Sequence, residues 1–284
     1  MSRSQTMTVS RLYREGWLLT AVSVVMLALF LFPIYWMVLT ALRPGTQIFA
    51  YPPEFLPTVI DFSSFERVLD NPRIPRYFLN SAIVGTGTTI LTLLLAAPAA
   101  YALAHLPLRG KSALLLISLA SLMFPAIMIA TPLFALFYGV GLGESYLNLI
   151  VANSALALPF AMTVLRPFFL ASPKQLAEAA KIDGCDSWGA FWRVMLPLAV
   201  PGLMTTAVFT FLFGWGDLLF AISLINSDEL RPITAGLWAF IGGNVTKWNA
   251  VMALTTLAML PPLIVFLIAQ RYVVSGLTAG SVKE

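Results

Sequence analysis

Charged positions are sparse along this chain of 284 residues, and between them lie six long runs without Asp, Glu, Lys or Arg: residues 16–42, 77–104, 112–143, 145–165, 194–216 and 248–270. Each is long enough to cross a hydrocarbon core, which takes about 18–20 apolar residues as a helix. The pattern predicts an all-α membrane protein with six transmembrane helices, placed at 17–42, 78–104, 113–135, 146–165, 201–225 and 249–270. An outer cap over 43–77 and a cytoplasmic loop over 166–197 join them, and residues 1–284 form one membrane domain. The third run is too long for a single helix. It is read as ending near Ala135, with Gly139 to Gly143 as a short outer turn. Pro125 and Pro132 predict kinks within it, and Pro98, Pro159, Pro201 and the pair Pro261 and Pro262 do so elsewhere. Those prolines are either hinges for motion or simply tolerated, as proline is in membrane helices.

Composition strengthens the membrane reading. Apolar residues make up 59% and charged ones 11%, against about 25% charged in soluble domains. The first run is no secretory signal. It is longer than a signal's apolar stretch of about 7–15 residues, and Arg43 and Pro44 follow where a small-residue cleavage site belongs. The single cysteine, Cys185, has no internal disulfide partner. The net charge of +4 would suggest nucleic acid in a soluble domain. Here the basic residues flank the spans and set the topology.

Eleven Lys and Arg fall on one side: Arg3, Arg11, Arg14, Arg109, Lys111, Arg166, Lys174, Lys181, Arg193, Arg271 and Lys283. Six fall on the other, among seven acids. The excess predicts that both termini are cytoplasmic. Trp17, Trp36, Trp238 and Trp248 lie near span ends, where amphipathic rings favour the interface.

Two stretches between spans are long enough to be structured. The outer one holds six prolines between Arg43 and Arg76. It predicts an irregular cap with a short helix near Ser63 to Leu69, too small to be a domain of its own. In the cytoplasmic stretch, Ser172 is a candidate N-cap with Pro173 at the first helical position and Gln175 reaching back. A short helix to about Ile182, a left-handed stop at Gly184 and a second short helix capped by Asp186 follow. The second carries Trp188, Phe191, Trp192 and Val194, and Pro197 leads into the fifth span. The two helices make either a knob that docks a partner or an amphipathic pair lying in the headgroup layer.

Glu178, Ala179 and Ala180, then Gly184, then Leu196 and Pro197 fit the pattern E-A-A-x3-G-x9-I-x-L-P, with Val194 in place of the isoleucine. This resembles the EAA loop of permeases in binding-protein-dependent ABC importers. The segment from Tyr51 to Pro57, Asp61 and Phe62, Asn80 and Ser81, and Ala100 to Ala104 ahead of Arg109, Gly110 and Lys111 are similar to carbohydrate-type permeases related to the smaller maltose permease subunit. The tail from Gln270 to Gly280, then Val282 and Lys283, is similar too. One departure is Trp215, Gly216, Asp217, where relatives read Trp-Asn-Asp.

The resemblance implies a non-catalytic permease subunit in a prokaryotic inner membrane, forming half of a path for a sugar or sugar derivative. Glycerol phosphate esters or polyols are the alternative substrates. It implies that Glu178, Ala179, Ala180, Asp183, Gly184, Leu196 and Pro197 couple the chain to an ATPase. The expected partners are a second homologous permease, two ATPase subunits and an extracytoplasmic solute-binding protein. ATP and Mg would sit on the ATPase, with no cofactor or metal on this chain.

Phe160, Trp215 and Asp217 are candidates to line the path. Asp217 is the one carboxylate placed within a span, where an acid is costly. It serves the path or a helix contact, or else a structural hydrogen bond near the outer interface. His105, the only histidine, reads as interfacial. Gly110, Lys111 and Ser112 look like the end of a P-loop, but His105 stands at the first glycine position and no strand precedes it. Asn244, Val245 and Thr246 fit a glycosylation sequon of little weight in a prokaryotic family. A different class, an ion-coupled secondary transporter, would show internal repeats around charged midplane residues. No such repeat is visible.

Overall fold

The computed structural model describes residues 9–241 and 247–279, and every regular element among them is helical. In chain order these are α1 (Val9–Ala41), α2 (Ser63–Leu69), α3 (Ile74–His105), α4 (Lys111–Ser121), α5 (Ala126–Gly139), α6 (Tyr146–Ala171), α7 (Lys174–Ile182), α8 (Ser187–Ala190), α9 (Leu196–Leu198), α10 (Val200–Gly216), α11 (Leu219–Leu224), α12 (Ile233–Ile241) and α13 (Trp248–Ala279). Among the described residues, four stretches are long and apolar enough to cross a membrane: Gly16–Ala41, Ile74–His105, Tyr146–Ala171 and Trp248–Tyr272. Two bent pairs bring the number to six if each is one span: α4 with α5, bent by 95°, and Ser187–Leu198 with α10, bent by 78°.

The chain divides into two compact units. The first comprises residues 1–70 and 245–256. From Gly16 onward its α1 is apolar all round, and that stretch's most apolar window buries nothing within the chain. Trp17, Leu19 and Phe30 are among the exposed side chains. Such a surface must meet lipid or another protein. Beyond it the chain folds back over the helix end. Arg43 is buried, donates to the Glu54 carbonyl and lies 5.5 Å over the Trp36 ring. Tyr35 donates to the Phe55 carbonyl, and the Asp61 N–H reaches the Leu42 carbonyl at 2.8 Å. The short helix expected near Ser63 to Leu69 is α2. Asp61 Oδ1 accepts from the Ser63 N–H at 2.8 Å. That bond holds the Asp61 carboxyl below its ordinary value.

The second unit comprises residues 71–244 and 257–284. Its frame is α3, α6 and α10. Thr88, Thr92, Ala96, Ala100 and Ala104 recur every fourth residue on the buried face of α3. Asn153, Ala157, Ala161, Leu165 and Phe169 do the same on α6. Small residues at that spacing let membrane helices approach closely, where dispersion and backbone contacts replace the hydrophobic effect. Contact between α10 and α3 is closer still. A Cβ on Gly214 would lie 3.0 Å from both the Gly85 Cα and the Thr88 side chain.

Two of the expected spans, one of them with a kink predicted at Pro125, are broken into separate helices. The expected third span, 113–135, is α4 followed by α5, and it ends at Gly139 rather than near Ala135. Pro125 lacks an N–H and its ring drives Phe124 out of the helical region. The chain turns there with bonds from the Met123 N–H to the Ala120 carbonyl (3.0 Å) and the Phe124 N–H to the Ser121 carbonyl (3.3 Å). The expected fifth span, 201–225, parts after Gly216 into α10 and α11. By contrast, Pro98, Pro132, Pro159, Pro261 and Pro262 all lie inside continuous helices. The connection between α11 and α13 also carries an apolar helix, α12, which the charge pattern concealed. Asn244 to Thr246, Arg3 and the end of the tail from Gly280 to Lys283 lie outside the described residues.

Candidate functional site

Two short helices build the knob between α6 and α10. The capping box does not form: α7 begins at Lys174, and Ser172 donates its hydroxyl backward to the Phe168 carbonyl at 3.2 Å. Pro173 makes this possible, because its missing N–H costs the first turn nothing. The stop at Gly184 is as expected. Its φ is +92°, the Gly184 N–H reaches the Lys181 carbonyl at 3.1 Å, and the Cys185 N–H reaches the Ala180 carbonyl at 2.9 Å. Together they form a Schellman motif. Asp186 then caps α8 by accepting from the Gly189 N–H at 2.7 Å.

After α8 the helix does not stop at Pro197. Residues Phe191–Met195 form a π turn in which the Leu196 N–H reaches back to the Phe191 carbonyl. Pro197 has no N–H to continue an α-helical ladder, and the wider turn absorbs that gap. The corner into α10 comes at Ala199, which is fully buried.

Burial sorts the predicted knob residues into two sets. Ala180, with its neighbour Ala177, is buried, whereas Glu178, Ala179, Asp183, Gly184 and Pro197 are exposed and Leu196 is half-buried. Ala177, Phe191, Met195 and Ala199 pack with Ala96, Ala97, Ala100 and Tyr101 of α3 and Ala161, Leu165 and Phe169 of α6. An aromatic cluster fastens this root. The Tyr101 ring lies 5.6 Å from Phe169, 5.1 Å from Phe191 and 5.3 Å from His105. His105 Nε2 donates to the Phe169 carbonyl at 2.7 Å, tying the C-terminal ends of α3 and α6 together. So the lone histidine makes a structural bond between these two helices. The rim is apolar as well as charged: Trp188 and Trp192 stack at 6.4 Å with half their surface exposed, and Ile182 is 86% exposed.

The path candidates do not converge on one spot. Phe160 packs edge-on to Phe209 at 5.6 Å and lies 5.9 Å from Phe213. Trp215 is buried, with Phe78 and Phe211 around its ring, and its indole N–H donates to the Ala258 carbonyl of α13 at 3.2 Å. Asp217 stands at the break between α10 and α11. Its carboxylate accepts from the N–H groups of Phe220 and Ala221, both at 3.1 Å, and from Asn153 Nδ2 at 3.4 Å. It caps α11, an arrangement that satisfies the charge inside the bundle. Of the alternatives for Asp217, this geometry supports the structural hydrogen bond and a contact with α6.

Outside these positions lies a set of polar residues that pattern reasoning passed over. Asn80 is fully buried, donates to the carbonyls of Glu229 and Arg231, both at 2.9 Å, and accepts from the Tyr146 hydroxyl at 2.7 Å. Ser81 Oγ accepts from the Ile233 N–H at 2.9 Å, at the start of α12. The Glu144 carboxylate accepts from the Ser227 N–H at 2.8 Å and from the N–H and side-chain amide of Asn226, each at 3.1 Å. Those bonds hold the Glu144 carboxyl below its ordinary value, the Ser227 N–H foremost. The signal available in the sequence was asparagine inside an uncharged run, which is as informative there as a charge.

Residues 92–279 match the family described as binding-protein-dependent transport system inner membrane component. Among curated proteins, the chain is 36% identical over 275 residues to the Probable ABC transporter permease protein YurM of Bacillus subtilis, covering 95% of this chain and 91% of that one. It is 34% identical over 255 residues to the trehalose transport system permease protein SugB of Mycobacterium tuberculosis, covering 89% and 92%. Among solved structures it is similar in fold to a chain of a bacterial ABC transporter involved in the import of the acidic polysaccharide alginate. There the TM-score is 0.77 at 24% identity, over 96% of this chain and 98% of that one.

Proposed function

The chain belongs to the family of binding-protein-dependent transport system inner membrane components, and on that premise we propose that it is one permease half of an ATP-driven importer of sugars. The sugar class rests on relatives of trehalose transport and on the alginate importer's shared fold. In this reading the chain pairs with a second, homologous permease, two ATPase subunits and an extracytoplasmic solute-binding protein. Both termini are cytoplasmic, and ATP with Mg binds to the ATPase.

The observation that carries the coupling role is the knob's division into a buried root and an exposed rim. Phe191, Met195 and Ala199 are locked into the α3 and α6 core. Glu178, Asp183 and Gly184 stand free on the other side, beside exposed Ile182 and Trp188. A charged and apolar rim on a rigid root suits docking into a cleft on a partner, and a load placed on the rim passes to the spans.

Purification of the chain from its native membrane in mild detergent tests the assembly. The second permease and the ATPase are expected to come down with it. Glu178→Lys is expected to leave that complex inserted while abolishing uptake and the stimulation of ATP hydrolysis by binding protein. A homodimer that transports alone would overturn the proposal, and a Glu178→Lys complex with full stimulated hydrolysis would remove the rim from the coupling path.

A further inference from the structure

Between α5 and α11 lies an open groove of about 370 Å³, lined by Ile127, Ala130, Thr131, Phe134, Ser223 and Asn226. Its size falls at the small end of ligand pockets, about 300–1,000 Å³. None of the three path candidates named above lines it. Its floor is rigid. Phe134 packs against the buried cluster of Ala130, Phe137, Phe220 and Leu224, and its ring centroid lies 4.6 Å from that of Tyr138.

The groove's polar atoms are held ready. Most threonines in these helices spend their hydroxyl on the carbonyl four residues back, as Thr89, Thr163 and Thr206 do. The side chains of Thr131 and Ser223, which line the groove, make no such bond among the described residues. Asn226 is fixed from behind. Its Nδ2 and backbone N–H donate to Glu144, and its carbonyl accepts from Arg231 at 3.1 Å. That leaves its Oδ1 and one amide hydrogen for a ligand.

An apolar ring face beside two free hydroxyls and an oriented amide matches one chemistry, a saccharide ring with its apolar C–H face and its hydroxyl edge. No lining residue is charged. Arg231, which donates to the Asn226 carbonyl, is already paired with Asp228, and behind Asn226 an anionic ligand would meet the Glu144 carboxylate. Burying a phosphate or uronate there would cost more than its contacts return.

We propose that the groove between α5 and α11 binds a neutral saccharide, with Phe134 as its stacking face and Thr131, Ser223 and Asn226 as its hydrogen-bonding groups. This rests on the sugar-importer reading and narrows it to uncharged substrates, against glycerol phosphate esters and acidic saccharides.

The test uses the whole importer in membranes, with Ser223→Cys introduced beside Cys185→Ser, and a membrane-impermeant maleimide as the label. Millimolar trehalose, sucrose and maltose serve as neutral ligands, and glycerol 3-phosphate and an alginate oligosaccharide as anionic ones. At least one neutral sugar is expected to slow labelling severalfold, and neither anion is. Thr131→Val and Ser223→Ala are each expected to raise KM for the protecting sugar about fivefold, the loss of one hydrogen bond, with the complex still assembled. Protection by an anion alone overturns the neutral assignment while the importer reading stands. Uptake of a neutral sugar without protection, or with KM unchanged in both variants, overturns the groove. No binding-protein-dependent uptake of any saccharide overturns the importer reading and this one together.

Discussion

Replacing Gly184 isolates the backbone of the knob from its contacts. The residue has φ +92°, and a Cβ added there would meet nothing within 4 Å. A side chain therefore brings strain and no clash. For an L-residue the left-handed conformation costs roughly 1–2 kcal/mol, less for Asn, whose side chain can bond locally, and most for a β-branched residue. A shift of 1–2 kcal/mol changes a local equilibrium by about 5–30-fold. The corner relieves the strain by opening, with loss of the bonds from Gly184 and Cys185 to the Lys181 and Ala180 carbonyls. That turns α7 relative to α8 and lifts Ala177 and Ala180 from their seat. In the intact membrane complex we expect uptake and binding-protein-stimulated ATP hydrolysis to fall in the order Gly184→Asn, Gly184→Ala, Gly184→Val, with Val losing nearly all of both. Membrane abundance should stay level, because Phe191, Met195 and Ala199 keep their places in the α3 and α6 core. Full activity in Gly184→Val, or equal losses in Asn and Val, would refute the claim that the corner's conformation carries the coupling.

Three further outcomes follow from the polar positions. Asn80→Leu strands two carbonyls and the Tyr146 hydroxyl, so this end of the bundle should lose about 1–3 kcal/mol per group left unpaired, read as a lower melting temperature of the purified complex; an unchanged one would discount the clamp. Asp217→Asn should keep the α11 cap and most transport, whereas Asp217→Ala should cost about 0.5–2 kcal/mol in that same melt; transport lost in Asp217→Asn with assembly intact would place the carboxylate in the path instead. Glu144 titrates below its ordinary value of 4.5, so its bonds to Ser227 and Asn226 contribute stability that is complete above that value and lost as pH falls through the lowered one. The protection factor of the Ser227 amide, its exchange rate corrected for the intrinsic pH dependence, should therefore fall in acid, an effect that Glu144→Gln should abolish.

What could be read from the sequence depended on whether the signal was local. The long uncharged runs marked out the apolar helices, and φ at Gly184 followed from a glycine placed just after a helical stretch. Asp186 was legible as a cap for the same reason. Pro125 marked a kink but not a full break of 95°, and the break at Asp217 was not marked at all, because identical chemistry elsewhere is harmless. Pro159 and Pro261 lie within unbroken helices, and whether a proline kinks or stops a helix depends on neighbours that satisfy the freed carbonyls. Asn80 stood out only as part of a resemblance. Its three partners come from residues 146, 229 and 231, and no local pattern predicts a contact across about 150 positions. Ser172 shows the opposite case, a good local motif overridden by a competing carbonyl at Phe168.

The placement of the irregular backbone bears on how a push at the knob could reach the groove. α3 and α6 run unbroken for 32 and 26 residues, each with a buried stripe recurring every fourth residue, which makes them a frame. α10 differs, for it has a joint at each end: the π turn and the Ala199 corner below, and the Asp217 break above. Between the joints it is a straight helix of 17 residues, about 25 Å at 1.5 Å per residue. Such a strut can tilt as a body while its joints absorb the change in φ and ψ, as hinges at element ends do. The lower joint is continuous with the knob and the upper one with α11, which carries Ser223. A tilt of α10 therefore moves one wall of the groove relative to α5. On this reasoning a cross-link between α10 and α3, for example through cysteines at Gly85 and Gly214 where the backbones nearly touch, should block uptake and leave sugar protection of residue 223 intact. Loss of that protection together with uptake would mean that the groove and the strut are not separate parts.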